Sequence, residues 1–222
     1  MKRTFLYILA ALLAASCKNC SVQNNKSEGD KPVITVTIEP LRYFTEAIAG
    51  DNFNVISMVP KGSSPETYDP TPQQLVDLAK SKAYFRIGYI GFEQTWMDKL
   101  TDNAPHLQFF DTSRGIDLIY DSSHAHHHHD ADEPHAHDSI QDDEHQHLLG
   151  VEPHVWSSAY NAQIIAGNIV NALCAIDKGN EEVYMERYKS LCNQIEHTDS
   201  LICHMLSAPN ADRAFMIYHP AL

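Results

Sequence analysis

Residues 121–150 hold nine histidines, at His124, His126, His127, His128, His129, His135, His137, His145 and His147, together with eight Asp or Glu and no Lys or Arg. Neutral imidazole is a good zinc ligand, and an ordinary pKa of about 6.5 leaves it mostly neutral at pH 7. Adjacent and alternate histidines on a flexible chain can reach tetrahedral arrangements in many ways. The stretch therefore reads as a weak, fast-exchanging, multi-site metal collector, and its acids hold a negative local potential that attracts cations. It has no apolar period and reads as a low-complexity disordered insertion. It is internal and broken by acids, unlike an expression tag. A linker with incidental histidines is at odds with this density.

Other metal and nucleophile signatures are missing. The sequence has no His-Glu-x-x-His and no nucleophile elbow, and Cys20, Cys174, Cys192 and Cys203 form no Cys-x-x-Cys among themselves, which argues against a zinc hydrolase. Cys20, Cys174, Cys192 and Cys203 suggest no particular pairing; the last three lie in helix-like segments and can serve as small buried hydrophobes. A net charge of −13, from 29 acids and 16 bases, argues against nucleic acid, which needs basic surface.

The first residues read as a secretory signal. Lys2 and Arg3 precede an unbroken apolar run, Phe5 to Leu13, and then Ala14, Ala15, Ser16 and Cys17. The run is too short to span a bilayer. The ending resembles a bacterial lipobox, so residues 1–17 are expected to be a lipoprotein signal peptide with Cys17 lipidated. The protein would then be exported and held at a membrane, periplasmic or at the cell surface. Residues 18–32 read as a flexible tether. No later segment is expected to be long and apolar enough to cross a membrane.

The elements that must position any site follow. Val33 to Ile38 is β-branched and reads as a buried strand. Leu41, Phe44 and Ile48 keep helical spacing, with Gly50 as a stop. Residues 53–59 form a second strand. Thr71-Pro72-Gln73-Gln74 is a helix start with capping-box chemistry, and that helix runs to about Ser81. Residues 83–87 read as a strand, 92–100 as a helix and 107–110 as a strand. The alternation predicts an α/β fold with a parallel sheet and helices on both faces. Ligands of such sheets bind at loops beyond the strands' C-terminal ends, where residues 61–70 lie.

Beyond the insertion, Ser157 or Ser158 can cap a helix with the apolar face Ala162, Ile165, Ala166, Ile169, Leu173 and Ile176. A second helix, from about Asn180 to Leu206, repeats Tyr184, Tyr188, Leu191, Ile195, Thr198, Ile202 and Met205 in one seam roughly 40 Å long. Ala214 to Tyr218 is a strand candidate, followed by His219 and the chain end. A last buried strand needs neighbours, so a truncated chain is expected.

Four separated motifs carry a resemblance. They are residues 62–72 (Gly-Ser-Ser-Pro-Glu-Thr-Tyr-Asp-Pro-Thr-Pro), Gly88-Tyr-Ile-Gly91-Phe-Glu93-Gln-Thr-Trp96, Pro153-His154-Val155-Trp156-Ser157, and Tyr218-His219-Pro220. Together they resemble the zinc- and manganese-specific solute-binding proteins of bacterial ABC importers, over residues 33 to 222. The resemblance implies two α/β lobes joined by one long rigid helix, with the metal between them. Residues 33–178 would be the N-terminal α/β lobe carrying the insertion, 179–208 the long linking helix, and 209–222 the start of a second α/β lobe that is largely missing. The family's first ligand, a His, falls on Glu66; the second falls on His154 and the third on His219. The fourth, a carboxylate in the second lobe, has no counterpart.

Glu66 can ligate zinc, yet it hardens the site toward manganese. His219 and the His-rich loop fit the zinc branch. The implied function is capture of Zn2+, with Mn2+ the alternative, and its delivery to an ABC permease and its ATPase by a monomeric, non-enzymatic protein. A metal buffer or chaperone without a transporter is the rival. Glu93 can cap a helix, and Tyr68, Tyr89, Trp96 and Trp156 read as core or pocket-wall aromatics.

Overall fold

The structure, a computed structural model, describes residues 31–120 and 150–212 together with Ala214 and Met216. Cys17, the nine insertion histidines and His219 lie outside the described residues.

Four short strands, β1 (Val33–Val36), β2 (Asn54–Ser57), β3 (Ala83–Arg86) and β4 (Gln108–Asp111), pair in parallel in the order β2-β1-β3-β4. In register, Ile34 faces Val55 on one side and Ala83 on the other, and Phe85 faces Phe110. The first three strands are shorter than the apolar runs suggest, because flanking residues leave the ladder while staying buried, as Ile38 and Ile87 do, and β4 is shifted by one residue. Consecutive parallel strands need a crossover, here supplied by α1 (Glu39–Ala49), α2 (Pro72–Leu78) and α3 (Gly91–Asn103). The chain steps from β1 to β2 in one direction and from β3 to β4 in the other. Right-handed crossovers therefore place α1 on one face and α2 and α3 on the other. The switch point lies between the C-terminal ends of β1 and β3.

The helices form for local reasons. Pro40 opens α1, whose stripe Leu41, Phe44, Thr45 and Ile48 is buried, and Gly50 ends it at φ +56°. Arg187 closes that end by donating from Nη1 to the Ala49 carbonyl at 2.7 Å. Thr71 and Gln74 form the expected capping box at α2, although the helix stops at Leu78, where Ser81 turns back to pair with Thr35. Ser158 caps α4 (Ala159–Ile176) by accepting from Asn161 N–H. Full burial of Ile34, Leu41, Ile48, Phe85, Ile165 and Leu173 contributes about 1.5–3 kcal/mol per side chain before entropy is counted.

Two expectations need correction. Helix α4 is long and apolar enough to cross a membrane, with mean hydropathy 1.2 over 18 residues. It is apolar because Ala162, Ile165, Ala166, Ile169 and Leu173 sit in the core, packed against α1 and the helix that follows. The seam of α5 (Glu181–Leu206) is only half covered. Tyr184 and Leu191 are buried, whereas Ile202 is 49% and Met205 70% exposed. The first four turns rest on α1 and α4, and α1 is too short to follow α5 further. Ala214 and Met216, from the final strand candidate, lie in no strand, and Met216 is exposed.

Candidate metal centre

Residues 61–70 follow β2 at the C-terminal end of the sheet and are pinned along their length. Ser63 N–H donates to the Pro60 carbonyl at 3.0 Å, Tyr68 Oη to Gln74 Oε1 at 2.8 Å, and Trp96 Nε1 to Asp69 Oδ1 at 3.1 Å. Gln74 in turn donates to the Met58 carbonyl at 2.7 Å. The segment next to Glu66 docks on the start of α3. Phe92 N–H donates to the Pro65 carbonyl at 2.9 Å, and Gly91 N–H to Glu66 Oε2 at 3.1 Å. Glu66 remains exposed, so its carboxylate is anchored by one oxygen at a helix N-terminus, where negative charge is favoured, and faces solvent.

His154 precedes a short turn, Val155–Ser157, that leads into α4. Its side chain is 12% exposed. Nδ1 lies 2.5 Å from Glu152 Oε1, which also accepts from the His154 backbone N–H at 3.1 Å. Trp156 meets the imidazole edge-on, with ring centroids 5.2 Å apart. A carboxylate on Nδ1 fixes the tautomer with the proton there and puts the lone pair on Nε2, the arrangement found in metal-binding histidines. Together with Asp117, Ile119, Glu152 and Ser158, His154 lines a cavity of about 280 Å³.

Trp156 joins the two halves of this region. It meets His154 edge-on and also walls a second cavity of about 210 Å³ with Pro65 and the 60–63 segment. Among the described residues, no three His, Cys, Asp or Glu side chains converge into a group that could hold a metal ion. Trp156 thus touches His154 on one side and shares a cavity with Pro65, the neighbour of Glu66 in the chain, without a closed site forming, and His219 lies outside the described residues. Glu152 and Gly91 have roles that the motifs alone do not assign. A Glu two residues before the His, across a Pro that bends the chain, was the available signal for the first. The close glycine pair Gly88 and Gly91 was the signal for the second. Tyr68, Tyr89, Trp96 and Trp156 pack half-buried against the core. Cys174, Cys192 and Cys203 are free thiols.

The same arrangement of elements occurs in known proteins. A crystal structure of ZnuA superposes with a TM-score of 0.70 at 29% identity, covering 86% of this chain and 65% of that one. The high-affinity zinc uptake system protein ZnuA of Bacillus subtilis is 28% identical over 222 residues, 97% of this chain and 65% of the relative. The iron ABC transporter substrate-binding lipoprotein MtsA of Streptococcus pyogenes is 30% identical over 197 residues, 86% of this chain and 56% of the relative. The chain thus spans between about half and two thirds of the length of these relatives. The family described as zinc-uptake complex component A, periplasmic, matches residues 34–222, and the chain belongs to that family.

Proposed function

We propose that this protein captures a divalent cation, zinc foremost, outside the cytoplasm and hands it to an ABC permease with its ATPase, without catalysing a reaction. The observation that carries this reading is the Glu152–His154 pair. It is a nearly buried imidazole held by a carboxylate on Nδ1 at the wall of a cavity, in a chain of the zinc-uptake family. Glu66, His154 and His219 are the ligands in this reading, and the metal is cargo rather than a resident cofactor. The nine insertion histidines collect it weakly and raise its local concentration, and lipid on Cys17 keeps the protein beside the membrane.

The test is metal analysis and calorimetric titration of the signal-free chain with Zn2+, Mn2+ and Fe2+. One tight zinc equivalent that His154→Ala abolishes supports the reading; a chain without any saturable site refutes it.

One observation favours a second metal. The ligand on the 61–70 segment is a carboxylate, and hard oxygen donors suit manganese and iron better than imidazole does. A chain that prefers Mn2+ or Fe2+ in the same titration, and shifts toward zinc on Glu66→His, would assign it there.

A further inference from the structure

Among the described residues, the most deeply buried carboxyl group is not one of the proposed ligands. Glu93 is 1% exposed and sits in the first turn of α3, at the switch point between β1 and β3. A Glu at this position of a helix ordinarily turns back to the N-cap N–H. Here it passes the N-cap, Ile90, and reaches the chain leaving β3. Oε1 accepts from Ile87 N–H at 3.0 Å and from the Thr37 hydroxyl, and Oε2 accepts from Gly88 N–H. Thr37 Oγ1 lies 2.9 Å from Tyr84 Oη, so the tyrosine hydroxyl completes a chain of donors ending on the carboxylate.

Stability alone does not call for this arrangement, because well-packed apolar groups commonly replace buried charge at no loss. A buried, satisfied polar network does define geometry. What it defines here is the turn from Ile87 to Gly91, which passes through Gly88 at φ +99°. The far end of that turn supplies the two N–H groups, Gly91 and Phe92, that hold Glu66 Oε2 and the Pro65 carbonyl.

We infer that Glu93 is a positioning residue for the metal-binding loop: it locks the Ile87–Gly91 turn to the sheet and thereby sets where Gly91 presents the Glu66 carboxylate. The inference rests on the reading of Glu66 as a ligand.

The test is a double-mutant cycle on zinc affinity, measured on the full mature chain by competition with a chromophoric chelator. Glu93→Gln keeps the shape but sets an amide donor against a backbone donor. Its affinity should fall about tenfold, the lower end of the range for groups that orient ligands. In a Glu66→Ala background the same change should cost nothing more. Thr37→Val, which removes one donor at constant volume, should show a smaller loss with the same coupling, and it serves alone if Glu93→Gln fails to fold. Wild-type affinity in both Glu93→Gln and Thr37→Val, or losses that persist undiminished in the Glu66→Ala background, would make Glu93 a core group only. Glu66→Ala binding zinc like the wild type would instead remove Glu66 from the ligand set, overturning the inference together with the reading it rests on.

Discussion

A β-carbon placed on Gly91 would fall 2.7 Å from Glu66 Oε2 and 2.8 Å from the Glu66 carbonyl oxygen. Both distances are shorter than real contacts of that kind, and one of the obstructing atoms is backbone. The loop therefore reaches its position only because residue 91 has no side chain. Gly91→Ala should push the segment around Glu66 off the start of α3 and cost about 1–3 kcal/mol from overpacking. Zinc affinity should fall while the fold survives. Calorimetric titration beside thermal unfolding checks this, and unchanged affinity would detach Glu66 from metal binding.

His154 depends on Glu152 in a different way. Removing the carboxylate takes away the acceptor that selects the Nδ1–H tautomer. Glu152→Ala should weaken zinc binding by about 10–100-fold, the range for groups that orient metal-bound histidines. Glu152→Gln keeps an acceptor for Nδ1–H without the charge and should fall between. The comparison is a zinc titration at fixed pH, and Ala and Gln variants that both bind as the wild type does would exclude this role.

The sequence exposed those parts of the fold that rest on local chemistry. Thr71 and Gln74 form the capping box their spacing implies, Gly50 ends α1, and the apolar face from Ala162 to Leu173 is buried as its period requires. It also marked Glu66 and His154, through motifs wider than either residue. It could not reveal that Glu93 passes its own N-cap to reach Ile87 and Gly88, or that Gly91 lies beneath Glu66. Both contacts join segments whose approach is set by the sheet order. The α5 seam misled for a related reason. Periodicity marks an apolar stripe but not whether a neighbour covers it, and beyond Ile195 no described element does.

Burial raises the Glu93 carboxyl above its ordinary value of 4.5, with its hydrogen-bond donors opposing the shift. The folded state then holds its proton more tightly than the unfolded chain does. The resulting contribution to stability is full below the ordinary value and falls as pH rises toward the raised one, levelling off beyond it. The difference in unfolding free energy between wild type and Glu93→Gln should therefore shift against the wild type as pH rises from 4.5. Urea denaturation of the metal-free proteins across that range measures it. A pH-independent difference would mean that Glu93 is ionised as readily folded as unfolded.

Tyr184 ties the start of α5 to its surroundings. Its hydroxyl donates to Asp177 Oδ2 at 2.5 Å and accepts from Asn52 Nδ2 at 3.1 Å. Desolvation, and then the hydrogen bond to Asp177, push its pKa up to about 12, so it stays a neutral donor at any working pH. Tyr184→Phe removes both bonds at almost constant volume and leaves Asp177 with Asn180. The loss should be about 1–3 kcal/mol. Chemical denaturation checks it, and zinc affinity should not change.

The histidine-rich insertion begins and ends at one point. Tyr120 pairs with Val151 in an antiparallel bridge, and Glu152 N–H donates to the Ile119 carbonyl at 2.8 Å. Ile119 and Glu152 both line the cavity that holds His154, so the insertion is rooted beside the proposed ligand. Such a closed base lets residues 121–150 be replaced by a two-residue Asn-Gly turn, which joins antiparallel partners without strain. The shortened chain should keep one tight zinc equivalent with unchanged affinity and lose the additional weak ones. Capture should slow where free zinc is scarce, because the local reservoir is gone. Stoichiometry by titration and the rate of zinc uptake from a weak chelator separate these effects. Loss of the tight equivalent would mean that the insertion supplies a ligand to the site rather than feeding it.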